Sequence, residues 1–206
     1  MPVNAAVIYY SATGSVYALA QAVVAGAEKA GAETRLRKVH ELAPDEAVAS
    51  NEGWQAHALE TQAVIEASLE DLEWADAVIF GTPTRYGNMA AQMKQFIDTT
   101  GPLWAAGKLA NKVYAGFVST GTAHGGQEST LLALANTFYH WGGVIVGPGY
   151  LDPIQFTAGN PYGASHISAN GAHPPGEVDL ASAEFTGRRA VEIANALRLG
   201  GMGEFA

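Results

Sequence analysis

The chain has 206 residues, 48% of them hydrophobic and 15% charged, which is enough for one well-filled core and short for two, so a single domain spanning 1–206 is expected. It contains no cysteine, which excludes disulfides, thiolate metal sites and a catalytic thiol and suits a reducing, cytoplasmic setting. A formal net charge of −9, with Arg35, Arg37 and Lys38 as the densest basic spot, argues against a nucleic-acid partner, and no apolar stretch approaches the ~18 residues of a membrane span.

Ala5 to Tyr9 is a continuous apolar run, the pattern of a strand buried on both faces of a parallel sheet. Met1 to Asn4 lead straight into it, with no basic start or small-residue cleavage site of an export signal. After Ser11-Ala12-Thr13-Gly14-Ser15, the positions Val16, Leu19, Ala20, Val23 and Ala27 mark one face of a helix that Gly31 can end. Thr34 to Val39 reads as a second strand, polar enough for a sheet edge. The stretch 41–72 carries only a weak signal, with a helix expected over 60–69, and reads as an insertion.

Ala77 to Phe80 is a short apolar strand, followed by Gly81-Thr82-Pro83-Thr84-Arg85-Tyr86-Gly87-Asn88 and then Met89, Met93, Phe96 and Ile97 at helical spacing. The eight residues from Gly81 therefore read as a strand-to-helix loop, the place where α/β sheets bind ligands. Gly81 and Gly87 are expected to supply unusual backbone conformations there, and Pro83 a fixed one. Leu103 to Asn111 reads as a connection, Val113 to Val118 as a buried strand, and Leu131, Leu134, Ala135 and Phe138 as the next helix face, which Gly142-Gly143 ends before a short strand at Val144 to Val146. Residues 148–175 turn to Gly, Pro, Asn and Ser, too long for a bare connection and so functional or packed on a partner chain. A last helix uses Ala190, Ile193, Ala194 and Leu197.

This alternation predicts an α/β fold, a doubly wound five-stranded parallel sheet with helices on both faces. Three loops then gather at the strand C-termini. The first, Ser11 to Val16, offers hydroxyls and free helix N–H groups without a lysine or arginine, which suits one terminal phosphate held by neutral donors. The other two, Thr82 to Asn88 and Ser119 to Gln127, supply features that can sandwich a flat ring and hydrogen-bond its edge. A mononucleotide carrying an aromatic ring fits all three, and no Gly-x-Gly-x-x-Gly fingerprint of a dinucleotide fold follows any strand. The histidines His57, His124, His166 and His173 are scattered and read as surface or loop residues, so no metal site is expected.

The runs Tyr-Tyr-Ser-x-x-Gly at 9–14, Phe-Gly-Thr-Pro-Thr-Arg-Tyr-Gly-Asn at 80–88, Ser-Thr-Gly-Thr with Gly-Gly-Gln-Glu at 119–128, and Pro-Tyr-Gly-Ala at 161–164 resemble the WrbA-type NAD(P)H:quinone oxidoreductases, a flavodoxin-like family. The resemblance implies FMN, with its phosphate on Ser11, Ala12, Thr13, Gly14, Ser15 and Val16. It puts the flavin ring between Thr84, Arg85 and Tyr86 on one side and Ser119, Thr120, Gly121, Thr122, Ala123 and His124 on the other, with Pro83, Gly87, Asn88 and Gly125 also binding the cofactor. It further implies NADH or NADPH as co-substrate, a quinone as acceptor, and a homotetramer in which His140 reaches the flavin of a neighbouring subunit. Trp104 matches an aromatic that walls the substrate pocket, and Thr13 stands where some members carry a tyrosine touching the nicotinamide nucleotide. No side chain is expected to be an essential acid or base. A flavodoxin-like electron carrier and a non-enzymatic regulator-binding protein are the alternatives the same residues allow.

Overall fold

The computed structural model describes residues 1–201, and a parallel sheet forms its centre. In chain order the strands are β1 (Asn4–Tyr9), β2 (Glu33–Lys38), β3 (Ala77–Arg85), β4 (Asn88–Met89), β5 (Val113–Thr120), β6 (Val144–Ile145) and β7 (Ala164–Ile167). The main path runs β2-β1-β3-β5-β6, with every neighbour parallel. The polar β2 takes an edge, as its sequence predicts. From β1 the chain crosses one way to β2 and then the other way to β3, so the topological switch lies over the C-terminal ends of β1 and β3.

Alternating strand residues feed two cores. Val7 and Tyr9 pack with Leu19 and Val23 of α1 (Ser15–Lys29) and Ala190 of the last helix, Glu177–Leu199. Ile8 and Phe80 face the opposite layer, with Met93 of the helix Ala91–Asp98 and Leu134 and Phe138 of the helix Gln127–His140. Helices thus cover both faces, which is why the strands read as unbroken apolar runs.

Three details depart from the sequence reading. Gly81 to Arg85 continue β3 rather than forming a loop, and Gly81, Thr82 and Pro83 pair with Phe117, Val118 and Ser119 of β5. The chain then reverses through Tyr86 (φ 53°) and Gly87 (φ 76°) into β4, which returns antiparallel with Thr84 opposite Met89. Two consecutive positive φ angles are those of a tight hairpin turn. Gly81 has an ordinary backbone, and its glycine leaves room for Phe117, whose ring lies 2.1 Å from where a Cβ would stand. Secondly, the helix expected over 60–69 is absent; the insertion instead holds α2 (Asp45–Ala49), α3 (Glu52–Glu60) and α4 (Leu69–Trp74). With α2 to α4 counted, the helices over 91–98, 101–105 and 127–140 are α5, α6 and α7, and those over 153–158 and 177–199 are α8 and α9. Thirdly, β7 arises inside the Gly/Pro-rich segment and pairs with the C-terminal half of β5, while β6 pairs with its N-terminal half.

Two carboxylates tie the insertion to the sheet. Glu41 accepts the Tyr10 hydroxyl (2.9 Å), the Trp54 indole N–H (3.2 Å) and the Gln92 amide (2.6 Å), as well as the backbone N–H of Leu42 and Ala43. Asp71 accepts Arg35 (3.1 Å) and Arg37 (3.0 Å) from β2 and the Ser68 amide and hydroxyl at the start of α4. Burial by itself would raise the Asp71 pKa, but the Ser68 hydrogen bonds and the two guanidinium groups outweigh it and hold the carboxyl below its ordinary value. A depressed folded-state pKa contributes stability above the unfolded-state value of about 3.9, and that stability is lost as pH falls through the folded-state value. Asp71→Asn is therefore expected to cost about 3 kcal/mol at neutral pH, the lower end for breaking a buried pair because Arg35 is partly exposed. Urea denaturation checks this, and the gap between wild type and variant is expected to close below about pH 4.

Candidate functional site

The three loops meet over the switch point. A cleft of about 210 Å³ is lined by Ser11, Ala12, Thr13, Ser15 and Val16 from the first, Pro83, Thr84 and Arg85 from the second, and Ser119, Thr120 and Gly121 from the third. Each wall has a local cause. Gly14 is the N-cap of α1 at φ 95°, with no side-chain cap on the helix, and its own N–H is held by Ser11 Oγ at 3.1 Å. The first helical N–H groups thus remain free, as at helix starts that bind anions, and no acidic residue stands in the first turn to repel one.

The second loop is fastened to the third and to the helix α7 that follows it. Thr84 Oγ1 and Thr130 Oγ1 share a hydrogen bond of 2.6 Å, and a Cβ on Gly126 (φ 94°) would come within 2.8 Å of the Gly87 Cα. The third loop is shaped from within, since the Thr122 carbonyl accepts the Thr120 hydroxyl (2.9 Å) and the Gly125 N–H (3.0 Å). Gly14, Tyr86, Gly87, Asn88, Thr122, Ala123, His124 and Gly125 do not line the cleft itself. Tyr86 is fully exposed at the hairpin tip, and Ala123 lines a neighbouring pocket with Gln127, His166 and Asp179.

Sequence reasoning missed a fourth wall. Ser168, Asn170 and Gly171 close the cleft from the segment after β7. Ser168 donates from both N–H (2.8 Å) and Oγ (3.0 Å) to the Thr120 carbonyl, and the Asn170 amide oxygen lies 2.6 Å from where a Gly121 Cβ would stand. Ala169 and Asn170 both have positive φ, 45° and 57°, a strain found where tertiary contacts override local preference. The only signal in the sequence was the excessive length of 148–175.

Two sequence-predicted residues lie elsewhere. His140 ends α7 on the surface, about 20 Å along the helix from its start beside the third loop. Trp104, in α6, donates its indole N–H to the His140 carbonyl at 2.9 Å, so it sits at that same far end. Within one chain neither joins the cleft. His57 and His166, expected on the surface, are both buried. His166 is held between Asp179 (2.8 Å) and the His173 carbonyl (2.9 Å), which makes it structural. Among the described residues no helix is long and apolar enough to cross a membrane.

The family model described as NADPH-dependent FMN reductase matches residues 4–154, about three quarters of the chain. The chain belongs to this family. Curated relatives include the NAD(P)H dehydrogenase (quinone) of Deinococcus radiodurans, 47% identical over 93% of this chain and 96% of that one. NAD(P)H dehydrogenase (quinone) 3 of Rhizobium meliloti is 46% identical over 94% and 93%. Among solved structures, a flavodoxin, WrbA-like protein from Agrobacterium tumefaciens superposes with a TM-score of 0.67 at 27% identity, covering 94% of this chain and 98% of that one. An archaeal flavodoxin shares the fold at 20% identity with a TM-score of 0.62. For a member of the FMN reductase family, the neutral hydroxyls and free helix N–H groups of the cleft are a donor set that suits a phosphate monoester bearing a polar chain and a flat ring.

Proposed function

We propose that this FMN reductase family member is an FMN-dependent NAD(P)H:quinone oxidoreductase. The observation that carries the reading is the cleft itself, with the uncapped start of α1 on one side and the glycine-joined second and third loops on the other. When bound, FMN supplies the redox chemistry, accepting a hydride from NAD(P)H and delivering two electrons to a quinone. The protein's own part is placement. Ser11, Thr13, Ser15 and the first N–H groups of α1 hold the phosphate, and Pro83 to Arg85 and Ser119 to Gly121 flank the ring, with Gly87 and Gly126 setting the spacing of the two loops. Ser168 and Asn170 pack on the third loop, and Gly171 lies beside Thr13 of the first. No side chain of the cleft is assigned as an essential acid or base.

The chain works as one domain, located in the cytoplasm, and as a homotetramer. Trp104, Leu132 and Tyr139 are exposed apolar side chains on α6 and α7, and the same face carries His140. Their distance from the cleft within one chain supports a role at a neighbouring subunit's cleft, where Trp104 walls the quinone and His140 approaches the ring. Sedimentation at micromolar protein is expected to give a tetramer, and a monomer with full activity would remove Trp104 and His140 from the site.

The test of the function is spectroscopic. The apoprotein titrated with FMN is expected to form a complex whose visible absorption bleaches with NADH or NADPH and recovers on adding benzoquinone. Flavin binding without bleaching by NADH or NADPH would favour an electron carrier, and absence of flavin binding would end the proposal.

A further inference from the structure

The insertion between β2 and β3 packs directly behind the first loop. α3 places the His57 ring, 4% exposed, with Nδ1 3.6 Å from where a Cβ on Gly14 would stand, and Gly53 of the same helix lies beside the Thr13 methyl. Gly14 is the left-handed residue on which α1 begins, so the histidine backs the very turn whose front bears the free N–H groups. The ring lies 5.4 Å from that of Tyr17, which in turn lies 5.4 Å from Tyr9. His57 Nδ1 is 3.3 Å from Glu60 Oε2. Its Nε2 is buried without a partner among the described residues, and so is the Tyr9 hydroxyl. Both residues line one cavity of about 100 Å³, which also reaches Ser11. The two unpartnered polar groups at this cavity can hold a water, which can carry a proton to the free ring nitrogen.

We propose that His57 is a positioning residue for the phosphate end of the cofactor, supporting Gly14 from behind and taking up a proton from solvent when a phosphate dianion occupies the front of the loop. It thereby supplies the positive charge that Ser11 to Val16 lack. The inference rests on the FMN reading above. The charged and titratable groups around the ring are Glu60 on its own helix, Lys38 of β2, Glu41, Glu66 and Tyr10 at the cavity, Tyr9 of β1 and Tyr17 of α1. Lys38 is itself engaged, donating to the Thr61 carbonyl at 2.8 Å. Burial lowers the histidine pKa in the free protein, with Glu60 opposing and Lys38 adding to the decrease. A nearby dianion favours the charged imidazole and raises that pKa in the complex. The sign follows: the extra affinity is fully present at low pH and is lost as pH rises through the pKa of the complex. The second ionisation of the phosphate, near pH 6, acts in the opposite direction and is common to wild type and variant.

The experiment measures FMN and riboflavin dissociation constants by flavin fluorescence for wild type and His57→Gln, from about pH 5.5 to about pH 8.5 across the histidine range. In parallel, the His57 ring of the wild type is titrated by NMR with and without FMN. The advantage of wild type over His57→Gln for FMN is expected to grow on acidification, by about tenfold for each unit by which FMN raises the His57 pKa. Riboflavin, lacking the phosphate, is expected to show no such growth. A constant ratio for FMN, or an NMR pKa that FMN leaves unmoved, overturns the role of His57. If the variant fails to fold, the wild-type NMR titration decides alone. Failure of FMN to bind wild type at any pH overturns the cofactor reading and this inference together, whereas tight FMN binding with a flat ratio overturns this inference only.

Discussion

Ser15→Asp is expected to weaken FMN binding by at least about ten to a hundredfold while leaving the protein folded. The residue opens α1 and lines the cleft. A carboxylate there faces the position assigned to the phosphate, and losing one charge-assisted hydrogen bond alone amounts to about 1.5–3 kcal/mol. The substitution separates binding from stability because of where it falls. The first turn of α1 carries no acidic residue, and a negative charge at a helix N-terminus stabilises the helix by about 0.3–1 kcal/mol. Thermal denaturation of the apoprotein should thus show an unchanged or slightly higher midpoint, while fluorescence titration shows the loss of affinity. Riboflavin binding is the control, since it has no phosphate to be repelled. An FMN dissociation constant equal to that of wild type would mean that the phosphate does not sit on this loop.

Gly187→Val is expected to have the largest effect on stability. α1 and α9 cross with their backbones in contact: a Cβ on Gly187 would stand 2.0 Å from the Val23 carbonyl oxygen, and one on Gly26 would stand 1.9 Å from that of Glu184. The two glycines form a reciprocal pair, one on each helix. Neither neighbour is the flexible end of a side chain, so the helices themselves must separate. Overpacking typically costs about 1–3 kcal/mol, and a rigid backbone contact spanning the two longest helices of the chain belongs at or beyond the top of that range. For a chain of this size about 3 kcal/mol corresponds to roughly 6–12 °C in the thermal midpoint. The same separation would tilt the start of α1, so FMN affinity is expected to fall as well. A midpoint within about 2 °C of wild type would show that α9 can slide aside and that this contact does not fix the helix.

Both substitutions act at places where the sequence was partly legible. Ser11 to Ser15 reads as a phosphate-type loop from its hydroxyls, its glycine and the helix pattern that follows, all of which are local. Gly26 and Gly187 lie inside helical stretches 161 positions apart, and nothing in either stretch says that it faces the other. The same division holds at the sheet. Ala5 to Tyr9, Ala77 to Phe80 and Val113 to Val118 are recognisable because burial on both faces demands an unbroken apolar run. The extension of β3 through Arg85 was not recognisable, since Thr82 to Arg85 is extended only because β5 and β4 offer backbone partners.

What the sequence determined by itself was the alternation of strands and helices, the edge position of β2 and the loops that gather at one end of the sheet. Each of these follows from residue chemistry over a few neighbouring positions: apolar period, helix capping, and backbone freedom at glycine. The tertiary structure alone decided that Ser168 and Asn170 close the cleft, that His57 is buried behind Gly14, and that Trp104 and His140 stand at the far end of α7. These depend on which distant backbone carbonyl or helix end lies within hydrogen-bond reach once the sheet has closed. Such proximity is set by crossover direction and by close packing at glycines, and no short stretch of the chain encodes it.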